Sequence, residues 1–205
     1  SCRNGNNVMR RSMLSSVKVT IHRFWCRVLN DTRGVAAVEF AMIVPVMFVL
    51  FVGSVEFSQA ITVDRRVTQA TSSTADLIAR TKSTTTSEIN GVMEIISALL
   101  SPYTATPLKL TVLNVYSDPN NATDTKVCWS YNHNGGAVSY TNGQAYTLPT
   151  GVVQAGESVI VAEATYTYTP LIFNYFIPST MNFTETFYLK PRQSSSIEYT
   201  ATKCL

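Results

Sequence analysis

Glu39 is the one charged side chain between Val35 and Val55, in the run VAAVEFAMIVPVMFVLFVGSV. A carboxylate in such a stretch costs about 2.5–3.5 kcal/mol at mid-bilayer, and less near the interface. Glu39 lies one helical turn past the start of the run, so its shallow depth avoids part of that cost. Two readings are open. It is an interfacial acid with no task, or it meets a cation once helices assemble side by side. The free α-amino group at the start of a neighbouring anchor would be such a cation.

Other reactive side chains are sparse. His133 stands in a turn beside Asn132 and Asn134, where a solvated imidazole is expected. Strand alternation does not bring Glu157, Glu163 and Glu185 into a pair at defined distance. The sequence has no HExxH, no CxxC, no phosphate-binding glycine loop and no nucleophile elbow. Gly135-Gly136 is a turn and not a nucleotide cradle. No catalytic set of nucleophile, base and oxyanion donors can be assembled, so no enzyme activity, cofactor or metal is expected. The cysteines are Cys2, Cys26, Cys128 and Cys204. The first two fall on the reducing side of the topology read below. Cys128 and Cys204 fall in an oxidising compartment, where a bridge between them would tie the last residues to the middle of the domain.

The element that positions Glu39 is a helix. At about 1.5 Å per residue, 21 residues reach about 30 Å, the thickness of a hydrocarbon core. Pro45 is tolerated as a kink in a spanning helix. Ahead of the run stand Arg3, Arg10, Arg11, Lys18, Arg23, Arg27 and Arg33 against Asp31; the residues from Val35 onward hold nine basic and twelve acidic side chains. The chain's surplus of positive charge therefore belongs to its leader. It argues for an N-terminus in the cytoplasm and against nucleic-acid binding. The reading is a basic cytoplasmic leader at 1–34, a transmembrane helix at 35–55 and a periplasmic or extracellular domain at 56–205. The chain begins with Ser, and Met9 or Met13 are alternative initiators. Val17 to Leu29 mixes apolar and basic residues, as a short helix on an anionic leaflet or as an unstructured leader. The apolar run exceeds that of a secretory signal, and no small-x-small cleavage site follows, so retention in the bilayer is expected.

Beyond Val55 only one helical face stays apolar, through Phe57, Ile61, Val67, Ala70, Thr74, Leu77 and Ile78, giving one helix of about 45 residues. Thr85 with Glu88 has capping-box spacing before a second helix from Ser87 to Leu100. The period then changes to two. Strands are expected at 108–116, 126–131, 158–169 and 181–189, with a short one between Gly136 and Asn142. Thr147 to Glu157 is a loop. Leu171 to Ile177 is a hydrophobic loop or short helix closed by Pro178, and the tail from Lys190 is polar. The fold class is α+β: a long N-terminal transmembrane helix continues into an amphipathic helix packed on a small antiparallel sheet.

Arg33-Gly34-Val35-Ala36-Ala37-Val38-Glu39-Phe40-Ala41, then Pro45 and the apolar run, then Glu56-Phe57, resembles the N-terminal signature of TadE-like pseudopilins of tight-adherence (Flp, type IVc) pilus systems. Ile61, Arg66, Ala70 and Ala79 extend the resemblance, and Tyr166, Tyr168, Pro170 and Leu171 resemble the strand and Pro-Leu that close such domains. The resemblance implies a bacterial inner-membrane protein with other pilins, the pilus assembly machinery and a prepilin peptidase as partners, besides the lipid bilayer. It implies a cut between Gly34 and Val35, which makes Glu39 the fifth mature residue, the position implicated in subunit assembly. The 171 residues from Val35 exceed a major Flp pilin, so a minor pilin or pseudopilin is the implied role. The alternatives are an uncleaved membrane-tethered periplasmic scaffold or binding module, and an enzyme acting on cell-wall material.

Overall fold

Forty-seven consecutive residues, Arg33–Ala79, form one α-helix (α1) in the computed structural model of the chain. The structure describes residues 33–136, 138–172, 174, 179–200, 202 and 204. The leader up to residue 32, with Cys2, Cys26 and the 17–29 segment, lies outside the described residues, as do 173 and 175–178 of the hydrophobic stretch. α1 runs through Pro45 without a break in its assignment. Two compact units divide the chain, one ending at Ser54 and one from Val55 to Leu205.

In the second unit the elements after α1 are β1 (Ser83–Thr84), α2 (Thr86–Leu99), β2 (Leu108–Asp118), β3 (Asn121–His133), β4 (Ser158–Tyr168), β5 (Met181–Leu189) and β6 (Glu198–Tyr199). The capping box starts α2: Thr85 Oγ1 accepts from the Glu88 amide at 3.3 Å and Glu88 Oε2 accepts from the Thr85 amide at 2.8 Å. Its other end is met by Arg66 of α1. The guanidinium donates to the Leu99 carbonyl at 3.0 Å, also bonds the Ser101 carbonyl, and lies over the Tyr103 ring. A cation there satisfies carbonyls that the helix leaves unpaired.

Four strands form an antiparallel sheet in the order β3-β2-β4-β5. One face packs on α1 and α2. Ala60, Val63, Val67, Ala70 and Ile78 of α1 and Ile89, Met93 and Ile96 of α2 meet Leu110, Val112, Ile160, Ala164 and Tyr166. Of the expected stripe on α1, Val67, Ala70, Thr74 and Ile78 are buried, and only its first two members are exposed. Those two are Phe57 and Ile61, and in their place the stripe starts at Ala60 and Val63. The alanines let the sheet approach closely, which the bulkier pair would prevent.

The other face is also covered. Leu113, Val115, Val127, Val159 and Val161 pack beneath Tyr140, Tyr146, Leu148 and Val152 of the segment after β3. That segment makes no named strand where one was expected between Gly136 and Asn142. It runs instead along the edge of β3, with the Val127 amide bonded to the Gln144 carbonyl at 2.8 Å and the Tyr146 amide to that of Thr125 at 3.0 Å. β3 itself starts five residues earlier than expected, paired to β2 across the turn at Pro119-Asn120.

The polar tail is an ordered strap. β6 pairs in parallel with β1, a two-stranded element that period-two counting cannot find in segments this short. Ile197 is fully buried, and its carbonyl accepts from Trp129 Nε1 at 2.7 Å and from Asn114 Nδ2 at 3.0 Å. A bulge in β3 makes this possible. Asn114 faces Trp129 while Val115 faces Val127, so Cys128 is the extra residue and turns inward beside Trp129. Cys128 Sγ is bonded to Cys204 Sγ, with the Cα atoms 5.4 Å apart. A link spanning 76 residues removes much conformational freedom from the unfolded chain. Cys204→Ser is expected to lower the free energy of unfolding by about 2–4 kcal/mol, measured by urea denaturation of the detergent-solubilised protein under non-reducing conditions.

Candidate functional site

From Gly34 to Phe51 every residue of α1 is exposed, and the exposed side chains include Val35, Val38, Phe40, Met42, Ile43, Val46, Met47, Phe48, Leu50 and Phe51. Among the described residues this is the one helix long and apolar enough to cross a membrane. Water solvates such a cylinder poorly, whereas lipid and neighbouring apolar helices do so readily. Glu39 lies on this exposed surface. Val35 and Glu39 are four residues apart, so they share a face with an axial offset of about 6 Å. A Cβ added at Gly34 would meet nothing within 4 Å. The fold therefore sets no steric demand for glycine at that position.

Glu56 is the next acid after Glu39 along the helix. It is buried, and Oε1 accepts a hydrogen bond from the Ile172 amide, just past β4. Tyr168 lies close by; burial, followed by the Glu56 charge, pushes its phenol up.

The three carboxylates singled out from sequence do not converge. Glu157 pairs with Lys190 at 2.5 Å. Glu185 faces α1, where Thr68 Oγ1 donates to it at 3.2 Å. Glu163 projects from the opposite face of the sheet and is only 9% exposed. It accepts from Tyr140 Oη at 3.0 Å and from Tyr146 Oη at 2.7 Å. These phenols were not anticipated, although an acid following Val159 and Val161 on one strand face signals that something polar must cover it. They clamp the 139–157 segment to the sheet. His133 ends β3, and burial lowers its pKa. Among the described residues no group of three His, Cys, Asp or Glu side chains is placed to hold a metal ion.

Burial, then the bond to Glu163 and its charge, pushes Tyr140 up to about 12 and Tyr146 upward as well. In the unfolded chain both titrate near 10. Raised values in the folded state mean that this contribution to stability is complete below pH 10 and is lost as pH rises through 12. Absorbance titration of tyrosinate should show at least two phenols resisting ionisation at pH 11. Tyr146→Phe should cost about 1–3 kcal/mol, because a hydrogen bond to a buried charged acceptor is removed.

Residues 34–76 match the family model described as TadE-like protein. No curated protein and no solved structure matches the chain. The matched stretch begins at the glycine ahead of the apolar helix and ends within the part of α1 that packs on the sheet. TadE-like proteins are pilus-associated and in general non-catalytic, so the match supports a pilus-related membrane protein. Residues 34–76 are therefore similar to the TadE-like family, the one that the N-terminal residues resemble.

Proposed function

We propose that the protein is a minor pilin or pseudopilin that supports assembly of a tight-adherence type IV pilus. Residues 35–55 hold it in the bacterial inner membrane with its N-terminus in the cytoplasm, and residues 56–205 lie in the periplasm or enter the pilus. One observation carries this reading: the TadE-like match starts at Gly34, which precedes an exposed apolar run, Val35 to Phe51, bearing a single acid, Glu39.

Prepilin peptidase hydrolyses the peptide bond between Gly34 and Val35, adding water and freeing an α-amino group on Val35. In an array of parallel helices, sliding one helix by about 6 Å brings that ammonium level with Glu39 of its neighbour. The pair then neutralises a carboxylate that lipid would otherwise leave unmatched. Apolar side chains add contact area but no register, since hydrocarbon solvates them equally well. The charge pair supplies the register.

N-terminal sequencing of the membrane-extracted protein should find Val35 first, and Gly34→Leu should leave the leader attached with the helix intact. A wild-type protein that keeps its leader would overturn the processing reading in favour of an uncleaved scaffold. Glu39→Gln should insert normally, while losing a charge-assisted contact of about 1.5–3 kcal/mol. That corresponds to about ten- to a hundredfold weaker association per contact. Pilus counts and sheared-pilus yield should fall accordingly; unchanged yield would sink the assigned role of the carboxylate.

A further inference from the structure

Large exposed apolar side chains are unevenly spread over the unit from Val55 onward. Among the described residues eight are exposed, and six of them, Val55, Phe57, Ile61, Leu171, Ile172 and Met181, come from two places in the sequence. The fold brings these places together. Met181 pairs with Tyr168 where β4 ends and β5 begins, and the Ile172 amide two residues past Pro170 is held by Glu56 of α1. Leu171 is 76% exposed and Phe57 66%. Each place is also free of exposed charge. No charged residue occurs from Ala164 to Thr184, and between Val55 and Val63 the one charge is Glu56, which is buried. An end of a domain with this composition is poorly matched to water.

We infer that this end of the domain is a second lipid contact, seated in the headgroup–acyl boundary of the same bilayer that receives the helix. Continuity identifies the occupant. Phe57 follows the apolar run along one helix, within about two residues of the limit of the proposed span, so a bilayer that covers the run reaches the patch. Interfaces of this kind favour aromatic and aliphatic side chains without charge. The Glu56–Ile172 bond has a defined part. It ties the Ile172 backbone to Glu56 of α1, and it satisfies a carboxylate and an amide that would otherwise enter a region poor in water.

The inference rests on the membrane anchor of the proposed function, and the test separates the two. Full-length protein carrying Cys2→Ser and Cys26→Ser, with the Cys128–Cys204 link intact, receives Leu171→Cys or Asn120→Cys and an environment-sensitive fluorophore. Position 120 is an exposed turn at the opposite end of β2. Each protein is reconstituted into phosphatidylethanolamine–phosphatidylglycerol vesicles at about one copy per vesicle. The label at 171 should emit to the blue of that at 120, be quenched by lipids spin-labelled near the headgroup, and resist aqueous iodide. Protein that stays with the vesicles through carbonate extraction while position 171 behaves like 120 would overturn the inference and leave the anchor standing. Protein released by carbonate would overturn both. A blue shift that appears only at high protein-to-lipid ratio would assign the patch to a second copy of the chain, and would likewise overturn the lipid contact.

Discussion

One unbroken helix has to satisfy two surroundings, and the rest of the fold follows from that constraint. Over its first turns α1 offers apolar side chains in every direction, which suits a medium with no preferred face. From Glu56 onward it has a dry side and a wet side. The dry side is built from small and β-branched residues, Ala60, Val63, Val67 and Ala70, on which the sheet rests directly. The change takes place without a break in hydrogen bonding, so the backbone needs no turn or cap where the surroundings change. Glu56 stands at the change, and its carboxylate serves the domain rather than solvent.

Two polar side chains buried in the sheet are met from outside it, although the Asn114 Oδ1 and Tyr168 Oη atoms have no hydrogen-bond partner among the described residues. Asn114, on the inner face, donates to the Ile197 carbonyl and to Ser196 Oγ. Glu163, on the outer face, is met by two phenols. In each case a chain segment with little regular structure is held by a polar side chain that the sheet could not bury alone. A carboxylate or amide left unpartnered there would carry a desolvation cost, and the segment that covers it also buries apolar side chains of its own. The tail strap and the 139–157 segment are therefore as necessary to the fold as the strands beneath them.

What the sequence makes legible follows from what is periodic in it. The helix from the anchor outward, the Thr85–Glu88 cap and the strand Met181–Leu189 each repeat a pattern over several residues, and their ends lie within about two residues of the expected ones. Only the start of the stripe on α1 is hard to read, because Ala60 carries little hydropathy signal while Phe57 and Ile61 carry a strong one that points elsewhere. The bulge at Cys128 is invisible to alternation, since its effect is to break alternation by one residue. The strap and the phenols over Glu163 depend on partners 17 to 83 residues away, and no local pattern encodes such a distance. Of the candidate site, Gly34, Val35 and Glu39 are picked out by a local motif that resembles a family signature, and their roles are part of the proposal. The use of Glu56 was not legible, because its partner is a backbone amide 116 residues on.

The fixings of the domain are spread along the packed length of α1. At one end Glu56 ties the segment after β4 to the start of the packed part of α1. At the other, Arg192 binds Asp76 at 2.5 Å and its amide reaches the Ala79 carbonyl, so the strap closes on the last turns of the same helix. Arg66 fastens α2 between them. With ties at the beginning, middle and end of its packed length, α1 cannot turn about its axis without carrying the sheet with it. The Glu56 carboxylate has its part inside the domain: it holds the segment after β4 to the same helix that the strap and α2 hold, so sheet, strap and helix form one body.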